Sequence, residues 1–219
     1  MRYSKLLTII IMGMVFISFP SCNGAFDGIY DEPSADTDNS TYGFKNVDLE
    51  HHSGTVYINA ESYTRWTYIN FHDRTIDSLE IGTDTAEPEN WDMAVHRYDS
   101  KINGAGVMET NFTDLNALLG SGALPSGEFV ADADSRITID MSGMMDGNII
   151  YADSKVNPEL AKWLVVDTSS MPPAYSLSGK VYILKLKDGT LAALKLKNFI
   201  NEKFDKGYLT IDYIYPLEF

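Results

Sequence analysis

The sequence predicts a mostly β fold, a single domain of antiparallel sheets with long loops. Three observations lead there. Aromatic and β-branched residues cluster in short runs, turn-forming Gly, Pro, Asn and Asp bound those runs, and few interior windows sustain a helical stripe.

Residues 55–59 (TVYIN) give the first strand and residues 63–71 (YTRWTYINF) the second. Residues 111–119 form the best helical window, because Phe112, Leu115, Leu118 and Leu119 share a face and Gly120 supplies a stop. Strand candidates resume at residues 137–141, 148–151 and 163–166. The clearest local signal joins residues 180–187 to residues 190–197 through Asp188-Gly189, since Gly accepts the positive φ of a two-residue hairpin loop. That register sets Tyr182 opposite Lys195, Leu184 opposite Ala193 and Ile183 opposite Leu194. Both faces of this ribbon are apolar at mid-length, so each needs cover. Residues 208–215 (YLTIDYIY) add one more strand beside it.

The chain divides into three parts. Residues 1–22 read as a lipoprotein signal peptide: Arg2 and Lys5 form a positive start, and the apolar stretch from Leu6 to Phe19 is too short to span a bilayer. It ends in Phe19-Pro20-Ser21-Cys22, with the only cysteine as the processing and lipidation point. The alternative is an ordinary signal peptide with an incidental cysteine. Residues 23–50 read as an acidic flexible tether, carrying Asp27, Asp31, Glu32, Asp36 and Asp38 with few apolar positions. Residues 51–219 remain for the β-rich domain. The net charge of −14 becomes −16 without Arg2 and Lys5, which disfavours nucleic acid and anionic lipid as partners. A single cysteine excludes disulfides within the chain.

Met144, Met145 and Met171 fall in loops, beside Gly143, Asp146, Gly147, Ser169, Ser170, Pro172 and Pro173. Methionine ordinarily fills cores, so thioethers displayed there suit either a soft-ligand site or packing of the loops onto the body. Met93, Met108 and Met141 read as packing. The last histidine is His96, which reads as structural beside Trp91 and Arg97; His51, His52 and His72 lie near the start of the domain with no zinc-like spacing. Neither a nucleophile elbow, a P-loop nor an HExxH run occurs, and Gly104-Ala105-Gly106 reads as a loop. The chain is therefore expected not to be an enzyme.

Three stretches, NWDMAVHRYD from Asn90, the hairpin VYILKLKDGTLAALKLKNF and the end GYLTIDYIYP, resemble the HmuY family of haem-binding lipoproteins. The resemblance implies an all-β, HmuY-like fold that holds haem between loops at one end. It further implies an outer-membrane lipoprotein, at the cell surface, that takes haem, host haemoproteins being one source, and delivers it to a TonB-dependent receptor for iron acquisition. The histidines that ligate haem in the best-known relative match Asn148 and Thr168 here, so that bis-histidine site is excluded. Other relatives look like bis-methionine binders using the same two loops. On that basis the axial ligands are Met171 with Met144 or Met145, and Ile149, Ile150, Tyr151, Val165, Val166 and Tyr175 are the nearest candidates to line a porphyrin slot. A different class of function keeps the β scaffold to bind a polypeptide or glycan without haem, for which Trp66, Trp91, Trp163 and thirteen tyrosines supply surface.

Overall fold

The computed structural model describes residues 42–219 except 84, 168 and 170–172. The leader, Cys22, residues 23–41 of the tether and Met171 lie outside the described residues. In chain order the strands are β1 (Gly43–Asp48), β2 (Ser53–Asn59), β3 (Arg65–Asn70), β4 (Thr75–Glu80), β5 (Met93–His96), β6 (Asp99–Ile102) and β7 (Gly104–Glu109). After a short helix α1 (Leu115–Gly120) come β8 (Ala133–Gly143), β9 (Asn148–Val156), β10 (Leu164–Asp167), β11 (Ala174–Leu177), β12 (Tyr182–Leu186), β13 (Leu191–Ile200) and β14 (Lys206–Ile214).

These strands make a six-stranded sheet in the order β1-β2-β14-β13-β12-β7, a four-stranded sheet β4-β3-β5-β6, and two separate hairpins, β8-β9 and β10-β11. Every pairing is antiparallel, as the alternating sequence patterns require. Val56, Ile58, Leu184, Leu194 and Ile211 of the larger sheet share one buried cluster with Ile69, Met93 and Val95 of the smaller. The opposite face of the larger sheet buries Met108, Ile183, Ala193 and Ile214 under Leu118 of α1. The opposite face of the smaller sheet buries Trp66, Tyr68 and Ala94 under Ile137, with Ile139, Ala152 and Val156 packed against them. The C-terminal hairpin is thus covered on both faces, and the β8-β9 hairpin forms an outer layer.

The structure corrects four sequence expectations. Gly43–Asp48, placed in the tether by composition, is β1: Phe44 pairs with Val56 and turns its ring edge-on to Tyr213 and Phe71. The ordered domain begins before residue 51 because one aromatic anchor and a ready sheet edge suffice for a strand. The β12-β13 register is shifted by one, with Tyr182 opposite Leu194, Ile183 opposite Ala193 and Leu184 opposite Ala192. Leu186 N–H reaches Thr190 O at 2.9 Å, so Lys187, Asp188 and Gly189 form a three-residue loop in which Gly189 takes φ +89°. Asp188 accepts the Thr190 N–H at 2.9 Å and fixes that turn.

Gly104-Ala105-Gly106 is the start of a strand rather than a loop. A Cβ at Gly104 would meet Lys185 O at 2.3 Å, so glycine is what lets β7 lie against β12. Finally, α1 starts at Leu115, later than the apolar spacing suggests. Asp114 caps it by accepting the Ala117 N–H at 2.9 Å, while Phe112 O is taken by Val181 N–H at 2.8 Å.

His96 is structural, as expected, though its ring neighbour is Trp66 at 5.4 Å rather than Trp91. Its Nε2–H donates to Tyr63 O at 2.7 Å and its Nδ1 lies 3.3 Å from Asp99. Met93 and Met108 are core residues. Met141 is half-buried.

Candidate functional site

The β8-β9 hairpin presents the first methionine pair. Its root is held by the cluster under Ile137, but the register slips between Thr138 and Asp140 and again between Asp140 and Gly143. Each slip adds a residue to β8, bending the strand and increasing its local twist. At the tip, Met144–Asp146 is one turn of 3-10 helix closed by Gly147 N–H on Met144 O at 3.1 Å. Glycine is needed on both sides. A Cβ at Gly143 would lie 2.5 Å from Asn148 O, and Gly147 has φ +75°. In that turn successive side chains are about 120° apart, so Met144 and Met145 point different ways. Met144 is 45% exposed and Met145 is 89% exposed.

The apolar candidates around the tip divide by face. Ile150 shares the body-facing side of β9 with Ala152, yet it is 52% exposed because it lies beyond the packed cluster. Ile149 and Tyr151 lie on the opposite side, where the Arg136 guanidinium stands 4.7 Å over the Tyr151 ring.

The β10-β11 hairpin carries the other candidates. Val166 pairs with Tyr175 and Val165 with Ser176, so the two valines face opposite ways. Tyr175 is engaged with the body: it stacks on Phe199 at 5.6 Å, and Lys206 Nζ sits 3.6 Å over its ring. Val165 is on the free side and half exposed. Ser169 is the described residue nearest Met171 on its N-terminal side.

The two hairpins spring from one corner. Between Val156 and Leu164 runs a segment in which Asn157, Leu160 and Trp163 are fully buried. Asn157 Nδ2 donates to Val130 O and to Asp132, both at 2.9 Å, and its Oδ1 accepts from Glu159 N–H at 3.1 Å and Leu160 N–H at 2.9 Å. Ser178 N–H closes on Trp163 O at 2.9 Å, anchoring the second hairpin.

The loops share a motif that becomes visible once their hydrogen bonds are known. Asp140 accepts the Ser142 N–H at 2.7 Å, two residues before Met144. Asp167 accepts the Ser169 N–H at 2.8 Å, two residues before Met171. In both cases the backbone N–H bond holds the carboxyl below the ordinary carboxylate range. Asp-x-Ser-x-Met thus occurs twice, once at each loop.

Two clefts among the described residues lie away from the hairpin tips. One of about 660 Å³ is bordered by Trp91, Lys101, Asp132 and Asp153, and one of about 520 Å³ by Asn70, Trp91, Asp92 and Tyr215. Neither includes a candidate methionine. Lys101 is internally satisfied: it pairs with Glu87, and its ammonium lies 4.6 Å over Trp66 and 5.1 Å over Tyr68. Among the described residues no group of His, Cys, Asp and Glu could hold a bare metal ion, and no helix is long and apolar enough to cross a membrane.

The family profile of the HmuY protein matches residues 62–213, most of the chain. This chain belongs to the HmuY family. Solved structures agree in fold and sequence. A protein of Bacteroides vulgatus, described as HmuY-like and heme binding, is 53% identical with TM-score 0.78, covering 82% of this chain and 100% of its own. A Bacteroides fragilis protein described as a lipoprotein is 49% identical with TM-score 0.77, covering 81% of this chain and 98% of its own. Apo PinO of Porphyromonas gingivitis is 27% identical with TM-score 0.66, covering 75% of this chain and 98% of its own. No protein of curated function matches. Membership in the HmuY family agrees with the mostly β, antiparallel domain described above.

Proposed function

We propose that the chain binds haem through two thioether sulfurs, one from Met171 and one from the Met144-Met145 turn. It would do so at the cell surface, anchored through lipidated Cys22, and pass the haem to a TonB-dependent receptor. What supports the ligand assignment is the repeated Asp-x-Ser-x-Met sequence, in which Met144 and Met171 each follow by two residues a serine whose N–H is held by the preceding aspartate. By that equivalence Met144, rather than Met145, is the partner of Met171.

The residues present suit the group. Haem iron offers axial positions that accept thioether sulfur, and methionine ligation raises its reduction potential. Exposed Met144, Tyr151 and Val165 supply apolar surface that the protein itself leaves uncovered. The glycines and the aspartate cap fix the backbone at Met144, and Pro172 and Pro173 restrict it after Met171, so little ordering entropy remains to be lost on binding. Thioether carries no proton near neutrality, so ligation of this kind responds weakly to pH.

The test is a haemin titration of the recombinant protein with and without dithionite. A saturable Soret shift and a low-spin reduced spectrum are expected, lost in Met144→Ala and in Met171→Ala but kept in Met145→Ala. No saturable change in either redox state would overturn haem binding. A low-spin spectrum that survives loss of all three methionines would overturn the ligand assignment.

A further inference from the structure

We infer that Arg136 receives a carboxylate of the bound porphyrin, making the β8-β9 hairpin selective for porphyrins with free acid side chains. This rests on the haem reading above and adds to it a residue and a specificity.

The chain is strongly acidic, with net charge −14, so a dianionic ligand needs a local cation to offset repulsion. The hairpin beneath the methionine turn carries two cations, Arg136 and Lys155. Lys155 is committed, its Nζ 2.8 Å from Asp134. Arg136 is exposed; its guanidinium carbon lies 4.7 Å from the centre of the Tyr151 ring, and among the described residues it makes no ion pair. Asp153 stands opposite it in register but makes no ion pair with it, and borders the neighbouring cleft instead.

The position over the ring matters. A guanidinium lying on an aromatic face has its position fixed while its N–H fork stays available at the edge, the geometry that a carboxylate accepts in two parallel bonds. Tyr151 also lies where the porphyrin edge is expected. It pairs with Thr138, and Asn148 pairs with Gly143 at the base of the methionine turn. Three residues of strand at about 3.4 Å each put Tyr151 about 10 Å below that base, the order of the reach from a porphyrin centre to its acid side chains. Tyr151 and Ile149 share the face on which Arg136 stands, so apolar ring contact and charge are offered side by side.

The experiment compares three ligands, haemin, haemin dimethyl ester and metal-free protoporphyrin, against the wild-type protein, Arg136→Gln, Arg136→Lys and Met144→Ala. Wild type should bind haemin about tenfold more tightly than the ester, the scale of one bidentate charge-assisted contact. Arg136→Gln should bring haemin down to the ester's affinity while keeping the reduced low-spin spectrum and weakening metal-free protoporphyrin. Arg136→Lys should restore only part of the difference, because it keeps the charge without the fork. Met144→Ala should change the spectrum and leave the acid-to-ester ratio as in wild type. An equal acid-to-ester ratio in wild type and Arg136→Gln overturns the inference while leaving haem binding intact. Absence of any haemin binding by wild type removes the haem reading and this inference together.

Discussion

Asn157→Ala is expected to destabilise the protein by about 4 kcal/mol, although the residue touches no candidate ligand atom. Its side chain makes four hydrogen bonds from a fully buried position: two donated at 2.9 Å to Val130 O and Asp132, two accepted at 3.1 Å and 2.9 Å from the amides of Glu159 and Leu160. Val130 O keeps the Val107 N–H and Asp132 keeps the Ile102 N–H, so those acceptors stay paired after truncation. The Leu160 amide belongs to a fully buried residue and loses its partner. At about 1 kcal/mol per bond, with about 1–3 kcal/mol for an orphaned buried donor, the loss is about 4 kcal/mol. For a domain of this size that lowers Tm by roughly 10 °C. Urea unfolding followed by far-UV circular dichroism measures it, with an unchanged m-value expected. Because Asn157 sets the roots of both hairpins, haemin affinity should also fall while the spectrum of the bound form stays the same. A stability change under about 1 kcal/mol would refute the claim that this corner is held by polar satisfaction.

Asp92 sits in the NWD stretch, and burial pushes its carboxyl above the ordinary range despite the N–H bonds from Phe71 and His72. A raised folded pKa favours the protonated folded state, so stability should fall as pH climbs from about 4 through the folded value; Asp92→Asn should flatten that fall in urea titrations across the window. Gly104→Ala should lower stability by about 3 kcal/mol, since its Cβ would lie 2.3 Å from Lys185 O, whereas Gly120→Ala, with nothing within 4 Å, should raise it by about 0.5–1 kcal/mol; thermal melts of the pair compare them. His96→Ala should cost about 3 kcal/mol in the same unfolding assay, from a cavity and an unpaired Tyr63 carbonyl, and leave the reduced haem spectrum unaltered.

What the sequence disclosed follows the range of the forces involved. The β12-β13 hairpin was legible because Asp188-Gly189 is a local signal, but its loop length depends on where Leu186 and Thr190 bond, and a slip of one residue followed. The β5-β6 hairpin carries no local turn signal at all. Its turn is Arg97-Tyr98, and Arg97 holds φ +53° because Glu61 O at 2.7 Å, Lys206 O at 3.1 Å and the Tyr63 ring at 4.5 Å grip its guanidinium. Those partners are distant in sequence, so only the folded chain supplies them. The site divides in the same manner. Loop methionines between glycines can be read directly, whereas the side of each strand that Ile150, Tyr151, Val165 and Val166 face depends on pairings and bulges that composition does not encode.

Anchoring and display are separated in this scaffold. The roots of both hairpins are held by buried groups, Ile137 in one case and Trp163 in the other, together with Asn157 between them. The tip of the β8-β9 hairpin is held by local devices: Asp140 accepting the Ser142 N–H, glycines where a Cβ would clash or φ is positive, and one turn of 3-10 helix. None of those devices uses the side chain at position 144, which is nearly half exposed and lies outside the three buried clusters. Exchange of an exposed side chain with no packing role alters stability by about 0.5 kcal/mol or less. The side chain at position 144 is therefore free to vary with almost no effect on the fold. What would limit it instead is the chemistry of the bound group, which on the proposed reading meets a thioether sulfur at position 144.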